Sequence, residues 1–135
     1  MPRGPLPPAL RRFLEPPNMA TVATVDPKGA PQATIVWFDL EGEMVLVNTK
    51  LDRAKARNLA RDPRVALAVF DDSNPYRSVQ LRGLVREQRI GERAADDIHR
   101  LSRRYTGHDY GEPTNRISYL VEVESWSSWG LSEER

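Results

Sequence analysis

Apolar and polar residues follow two different periods along residues 43–70, and the rest of the chain is organised around this stretch. Residues 44–49 alternate with a period of two, which predicts a β-strand. A segment rich in cations follows, and Asp62-Pro63 ends it because the residue before a proline is disfavoured in the helical region. Residues 65–70 then resume as a buried strand. The pattern therefore predicts a strand, a short cationic helix and a second strand.

The same patterns predict elements on both sides of this stretch. Further strands are predicted at 20–25, 31–40, 76–88 and 117–125. A turn at 26–29 joins the first two of them, because Pro27 presets the backbone and Gly29 tolerates a left-handed conformation. Amphipathic helices are predicted at 9–14 and 91–105, where apolar residues recur at the helical spacing.

Six mostly antiparallel strands with short connections favour a small closed or split β-barrel over a sandwich. A length of 135 residues is enough for one hydrophobic core but not for two. We therefore expect a proline-rich N-terminal segment with a short helix (1–18), one barrel domain (19–130) and a polar tail (131–135).

Composition narrows the classes of function. The 20 basic and 19 acidic residues nearly cancel, so a positive patch can only be local and general nucleic-acid binding is not expected. No apolar run approaches the roughly 20 residues that span a bilayer, and the N-terminus has no continuous apolar segment typical of a signal peptide. The chain has no cysteine, which excludes disulfides and thiolate chemistry. We expect a cytoplasmic protein without membrane association.

The cationic segment is the most informative motif. Five cations and three hydrogen-bonding side chains fall within residues 49–61. A charge run is commonly a solvated helix face, but here the cations crowd the first turns, where the helix dipole repels them. Free backbone N–H groups at a helix start, together with Arg and Lys, form a phosphate site. We expect Arg53, Lys55 and Arg57 to bind an anion.

Tryptophans raise a second question. Trp37 and Phe38 are neighbours in a predicted strand, so their side chains point to opposite faces and one of them meets something other than the core. Trp126 and Trp129 lie near the end of the chain. Two tryptophans there favour an oligomer interface or a ligand lid.

Catalytic constellations are largely missing from the sequence. His99 is interpreted as a surface residue of the second amphipathic helix, and His108 lies beside Asp109 in a predicted loop. No cluster of residues has metal-ligand spacing, so no metal is expected, and no P-loop, nucleophile elbow or dinucleotide-binding motif is present. We predict no catalytic side chain, and if the protein is an enzyme, a bound cofactor carries the chemistry.

Three segments resemble a known family: TVATVDPKGAPQATIVWF, VLVNTKLDRAKARNLARDPRVALAVF and NPYRSVQLRG. They are similar to the pyridoxamine 5′-phosphate oxidase-like split β-barrel group, and most similar to its flavin/deazaflavin oxidoreductases that use coenzyme F420. The resemblance covers roughly residues 9–130. It implies a six-stranded antiparallel split barrel of the FMN-binding type, forming a homodimer with a cofactor site at each subunit interface.

The resemblance also implies the site residues. The basic positions would hold the cofactor phosphate or its acidic tail, one strand would line the flat ring, and further segments would close the site. The implied cofactor-binding residues are Thr34, Ile35, Val36, Trp37, Asn48, Thr49, Arg53, Lys55, Arg57, Asn58, Tyr76, Arg77, Ser78 and Trp129. The basic pattern of true pyridoxamine phosphate oxidases is not reproduced at 53–55, which argues against pyridoxal phosphate synthesis.

Three functions follow from these observations. The first is hydride transfer between reduced F420 and an unsaturated small organic acceptor, with Tyr76 and Arg77 as candidates for supplying a proton. The second is an FMN-dependent oxidase or reductase, since FMN and the deazaflavin share ring shape and phosphate. The third is a non-catalytic protein that stores or senses a flavin, a deazaflavin or haem.

Overall fold

The computed structural model describes residues 5–131. Within these residues, three helices and seven strands follow one another. Their bounds are α1 Pro8–Leu14, β1 Ala20–Val25, β2 Pro31–Val36, β3 Phe38–Glu41, β4 Met44–Lys50, α2 Ala54–Arg61, β5 Arg64–Asp71, β6 Asn74–Ile90, α3 Gly91–Thr106 and β7 Arg116–Trp129.

All seven strands form one antiparallel sheet in the order β2-β1-β5-β6-β7-β4-β3. The two edge strands, β2 and β3, are separated in the chain only by Trp37. Because consecutive Cα atoms are about 3.8 Å apart, the sheet must curl until its edges meet at that residue. This closure confirms the predicted split barrel, with seven strands because the predicted strand 31–40 breaks at Trp37.

The barrel interior holds the main hydrophobic core. Val22, Leu67, Leu81 and Tyr119 are among its buried members, one each from β1, β5, β6 and β7. Gly83 of β6 pairs with Val123 of β7, and an added Cβ at residue 83 would be 2.1 Å from the carbonyl oxygen of Glu122. The register of the two strands shifts at this position, as the glycine within the predicted strand indicates.

Both ends of the described chain contribute to the same core. Leu10, Phe13 and Leu14 of α1 are buried in it, and so are Leu6 and Leu131. The described part of the predicted N-terminal segment therefore packs into the barrel through these residues. Of the predicted polar tail, only Leu131 lies within the described residues, and residues 132–135 lie outside them, as do residues 1–4 of the predicted N-terminal segment.

Helix α3 covers the outside of β4 and β7. Its Ile98 and Leu101 pack with Leu46 and Leu120 in a second, smaller cluster. Arg104 ties α3 to the end of α1 and to the start of β3 by donating to the carbonyl oxygen of Leu14 at 3.1 Å and to that of Phe38 at 2.8 Å. No helix within residues 5–131 has the length and apolar character to cross a bilayer.

Candidate functional site

A cavity of about 390 Å³ opens where the barrel edges meet. It lies between the end of β2, the end of β4, the start of α2 and the underside of α3. Its lining residues are Met19, Ile35, Val36, Trp37, Asn48, Thr49, Lys50, Arg53, Lys55, Ile98, Leu101, Tyr110 and Arg116. A volume of this size is within the range of small-molecule sites.

One wall of this pocket is cationic. Lys50, Arg53, Lys55 and Arg116 line it, and no carboxylate of the described residues does. Within residues 5–131 the ion pairs leave these four side chains without an acidic partner. Lys50 and Arg116 face each other directly across β4 and β7, a placement that is unfavourable for like charges. The wall is therefore suited to an anion.

The pKa values of two of these cations reflect their crowding. Burial lowers the pKa of Lys55, and the positive charges of Arg53 and Arg116 lower it further. Burial also lowers the pKa of Arg116, and repulsion from Arg53 adds to this, while interaction with Tyr110 opposes it. Each charge is thus less favourable here than in water, and a bound anion would relieve the cost.

A second wall, which meets the cationic one where Tyr110 contacts Arg116, is apolar and aromatic. Trp37 stacks on Tyr105 with ring centroids 5.4 Å apart, and the ring of Tyr110 meets Trp37 edge-on at 6.4 Å. Trp37 lines the pocket while Phe38 is buried in the barrel, so the two neighbours point to opposite sides, as the sequence predicts. His99, interpreted as a surface residue, is half-buried, and its Nδ1 accepts a hydrogen bond from the Tyr110 N–H at 3.0 Å.

The structure brings half of the sequence-predicted site residues into this pocket: Ile35, Val36, Trp37, Asn48, Thr49, Arg53 and Lys55. Thr34 lies next to them on β2 and faces the barrel, where its buried Oγ1 has no hydrogen-bond partner among the described residues. Arg57 is exposed and donates to the Asp52 carbonyl oxygen at 2.7 Å.

The remaining predicted residues lie outside the pocket within a single chain. Asn58 is buried against β1, where its Nδ2 donates to Thr24 Oγ1 at 3.0 Å. Ser78 and Trp129 pair across β6 and β7, and Trp129 is 71% exposed. Tyr76 is exposed beside them, and Arg77 forms an ion pair with Asp71 at 2.8 Å. Trp126 is also outside: it is buried in the core.

Several lining residues are absent from the sequence-based prediction. Ile98 and Leu101 have the helical spacing of a core face, and Tyr110 falls in an irregular segment between α3 and β7. Arg116 gains its significance only through the register that places it opposite Lys50. Lys50 also lines the pocket and was not predicted. Among the missed residues it alone had a local signal, because it belongs to the run of cations that begins the predicted helix.

Comparison with known proteins identifies the family. A family model described as pyridoxamine 5′-phosphate oxidase matches residues 6–130. A curated pyridoxine/pyridoxamine 5′-phosphate oxidase from Azorhizobium caulinodans is 38% identical over 81 residues, which are 59% of this chain and 37% of that protein. The chain therefore matches little more than a third of the length of this curated relative.

Solved structures share the whole fold. A protein described as an F420 reductase is 31% identical, with a TM-score of 0.79 over 94% of this chain and 98% of the other. A conserved hypothetical protein from Mycobacterium tuberculosis is 24% identical, with a TM-score of 0.75 over 98% and 89%. Because the family model spans nearly all described residues and the split barrel is common to these structures, the chain belongs to the pyridoxamine 5′-phosphate oxidase-like split-barrel family.

Proposed function

We propose that this chain is an oxidoreductase that binds coenzyme F420 and transfers a hydride between the reduced cofactor and an unsaturated organic acceptor. The carrying observation is one cavity that combines an aromatic wall with four cations lacking an acidic partner among residues 5–131. A flat ring that bears a phosphorylated side chain needs these two surfaces next to each other.

The residues of the pocket fit such a ligand. Ile35, Val36 and Trp37 would hold the ring, and Arg53 and Lys55 would hold the phosphate. Thr34 faces the barrel beside this pocket, and its buried Oγ1 lacks a partner among the described residues, which is the condition expected of a group that binds a water molecule. The cofactor, when bound, supplies the hydride. The chain's own residues bind and orient it and keep water from the ring face.

Two observations favour the deazaflavin. A solved structure described as an F420 reductase is 31% identical to this chain and superposes over 98% of its own length. Four cations also exceed the need of one phosphate, and the excess suits the additional carboxylates of the deazaflavin tail. FMN is the second candidate, because the family match and the ring-and-phosphate chemistry of the pocket fit it as well. A non-catalytic flavin-, deazaflavin- or haem-binding protein is the third.

We also propose a homodimer with the pocket at the subunit interface. One outer surface of the sheet carries small side chains in two adjacent rows of the register, at Ala33, Ala23 and Ala66, and at Thr21 and Ala68. We call this surface the alanine face. Ile35 belongs to it, is 67% exposed and also lines the pocket. A second copy placed on the alanine face would therefore border the pocket.

Exposed aromatic residues extend the same surface. Phe70 and Trp129 both lie opposite Ser78, on the outward side of β5 and β7, and are 48% and 71% exposed. Exposed aromatic and other large apolar side chains are enriched at interfaces between protein chains. This arrangement supports the dimer.

The proposed function is tested by titrating the purified protein with F420 and with FMN while tryptophan fluorescence is followed. Trp37 lines the pocket, whereas Trp126 is buried in the core. We expect tight F420 binding with quenching that Trp37→Phe largely removes. The reduced F420 complex is then mixed with unsaturated acceptors and its reoxidation is recorded.

Each outcome decides between the candidates. Preference for FMN would assign the protein to the FMN-dependent function, and F420 binding without reoxidation by any acceptor would favour a binding protein. Absence of binding to either compound would contradict the proposal.

A further inference from the structure

Arg116 is held in a fixed orientation at the pocket wall. Its Nε donates to Asn48 Oδ1 at 2.8 Å, and its guanidinium carbon lies 5.1 Å from the ring centroid of Tyr110. Arg116 is half-buried. Two contacts on different sides thus restrain a side chain that is otherwise flexible.

The orientation of Asn48 follows from the chemistry of its partners. Its Nδ2 donates to the Ala94 carbonyl oxygen at 3.0 Å and to Ser118 Oγ at 2.8 Å. A carbonyl oxygen only accepts and a guanidinium only donates, so the amide oxygen must face Arg116. Both amide hydrogens of Asn48 are therefore committed within the protein.

Further buried groups hold this amide in place. Ser118 Oγ donates to Asp97 Oδ2 at 2.7 Å, and Asp97 forms an ion pair with Arg89 at 3.3 Å. Asn48, Asp97 and Ser118 are 7%, 8% and 0% exposed. A continuous chain of hydrogen bonds thus runs from Arg89 to the cation in the pocket.

Nothing acidic within residues 5–131 balances Arg116. It faces Lys50 across the strands and lies near Lys55 and Arg53. A rigid, polar support for an uncompensated cation is what an anion site requires. Arg57, the third cation expected from the sequence, is instead exposed with its guanidinium on the Asp52 carbonyl oxygen.

We propose that Arg116 is the third cation of the anion site, beside Arg53 and Lys55, and that Asn48 is its positioning residue and not a ligand contact. The anion is a phosphate ester, because phosphate is the anionic group that FMN and F420 share, and the planar guanidinium can donate two parallel hydrogen bonds to its oxygens. This inference rests on the proposed function, in which the phosphate belongs to the cofactor.

The test compares ligands that differ in the phosphate. FMN is paired with riboflavin, and the 5′-phosphate of the deazaflavin chromophore with the unphosphorylated chromophore, so that each pair differs only in the phosphate, and dissociation constants are measured by calorimetry. We expect Arg116→Gln to lower the preference for the phosphorylated ligand about ten- to a hundredfold, with the phosphate-free ligands unaffected. Arg116→Lys should recover only part of the preference. Arg93→Gln is the matched control, because this substitution removes the same charge and Arg93 is exposed on α3.

The positioning role is tested by a double-mutant cycle. Asn48→Ala should lower the phosphate preference in the wild-type background and have little further effect in Arg116→Gln. Thermal unfolding verifies that each variant is folded. If Asn48→Ala does not fold, Ser118→Ala takes its place, because it removes only one of the hydrogen bonds of Asn48, the one to Ser118. An unchanged phosphate preference in Arg116→Gln would overturn the inference. So would an effect of Asn48→Ala that is equally large in the wild type and in Arg116→Gln.

Failure of the proposed function is recognised separately. If the wild type binds neither the flavins nor the deazaflavins, the proposed function is wrong, and pyrophosphate then serves as the probe. A rise in melting temperature with pyrophosphate that disappears in Arg116→Gln but not in Arg93→Gln would support Arg116 as an anion ligand. An equal rise in all three proteins, or no rise in the wild type, would overturn that assignment too.

Discussion

His99 and Tyr110 are joined by a hydrogen bond of 3.0 Å from the Tyr110 backbone N–H to Nδ1 of the imidazole. This bond attaches the segment between α3 and β7 to the helix. Tyr110 in turn contacts Trp37 with its ring edge and lies under the guanidinium of Arg116. One bond therefore positions a side chain that touches both the aromatic and the cationic wall of the pocket.

We predict that the acceptor at position 99 controls ligand affinity. His99→Leu removes the acceptor, so the Tyr110 segment should loosen and cofactor binding should weaken by about 1 kcal/mol, the net value of one hydrogen bond. His99→Gln retains an acceptor oxygen and should stay close to the wild type. Calorimetric titration of both variants measures this. Equal affinities of the two variants would show that the hydrogen bond does not matter for binding.

Much of the fold could be predicted from the sequence because local patterns carry it. β1 was predicted with its bounds of 20–25, and α3 within one residue of its end. The break at Trp37 could not be predicted, since Val36 and Phe38 are both buried and the alternation continues through the break. The break results from closure of the sheet, which is a tertiary event.

The site was predictable only where its residues are consecutive. The segment 35–37 and the cations Arg53 and Lys55 lie in contiguous motifs, and the structure places them in the pocket. Arg116 and Tyr110 are distant in sequence from these motifs. The register of β4 and β7 brings Arg116 to the pocket, and the hydrogen bond to His99 brings Tyr110 there. Asn48 illustrates a further limit, because a polar residue beside a site can act through a neighbouring side chain.

Removing either predicted phosphate ligand should weaken cofactor binding. Lys55→Ala and Arg53→Ala should each cost about 1–3 kcal/mol, the scale of a charge-assisted hydrogen bond. Arg61→Ala is the matched control, since Arg61 is exposed at the far end of α2. Fluorescence titration at fixed ionic strength measures the losses. Unchanged affinity in both site variants would show that this segment does not bind the phosphate.

The pKa of Lys55 predicts a pH dependence of binding. Burial and the neighbouring cations lower this pKa below 10.5, and a bound anion favours the protonated form. Cofactor affinity should therefore be full below the lowered pKa and fall as the pH rises through it. Titrations from neutral pH to about pH 10.5 measure this. Lys55→Arg keeps its charge over that range, so the part of the decline that comes from Lys55 should vanish. An identical decline in both proteins would assign it to another group.

The alanine face predicts the oligomeric state. Ala68 is exposed near the middle of this face, between Thr21 and Gln80. Ala68→Arg would place a charge in the proposed interface and should convert a dimer to a monomer in analytical ultracentrifugation. Ala60→Arg, on the exposed side of α2, adds the same charge elsewhere and should leave the dimer intact. A wild-type monomer, or a dimer that survives Ala68→Arg, would exclude this face as the interface.

The close pairing of β6 with β7 at residue 83 should depend on the absence of a side chain at Gly83. A Cβ at this position would lie 2.1 Å from the Glu122 carbonyl oxygen and 2.9 Å from Val121 Cγ1, so Gly83→Ala must displace the backbone of β7. We expect a loss of about 2–3 kcal/mol in the free energy of unfolding, the scale of overpacking. Gly111→Ala is the matched control, because nothing lies within 4 Å of a Cβ added there, and its stability should change by less than about 0.5 kcal/mol. Urea unfolding at one protein concentration compares the two. Equal stability of the two variants would mean that β6 and β7 can move apart at residue 83 without loss of stability.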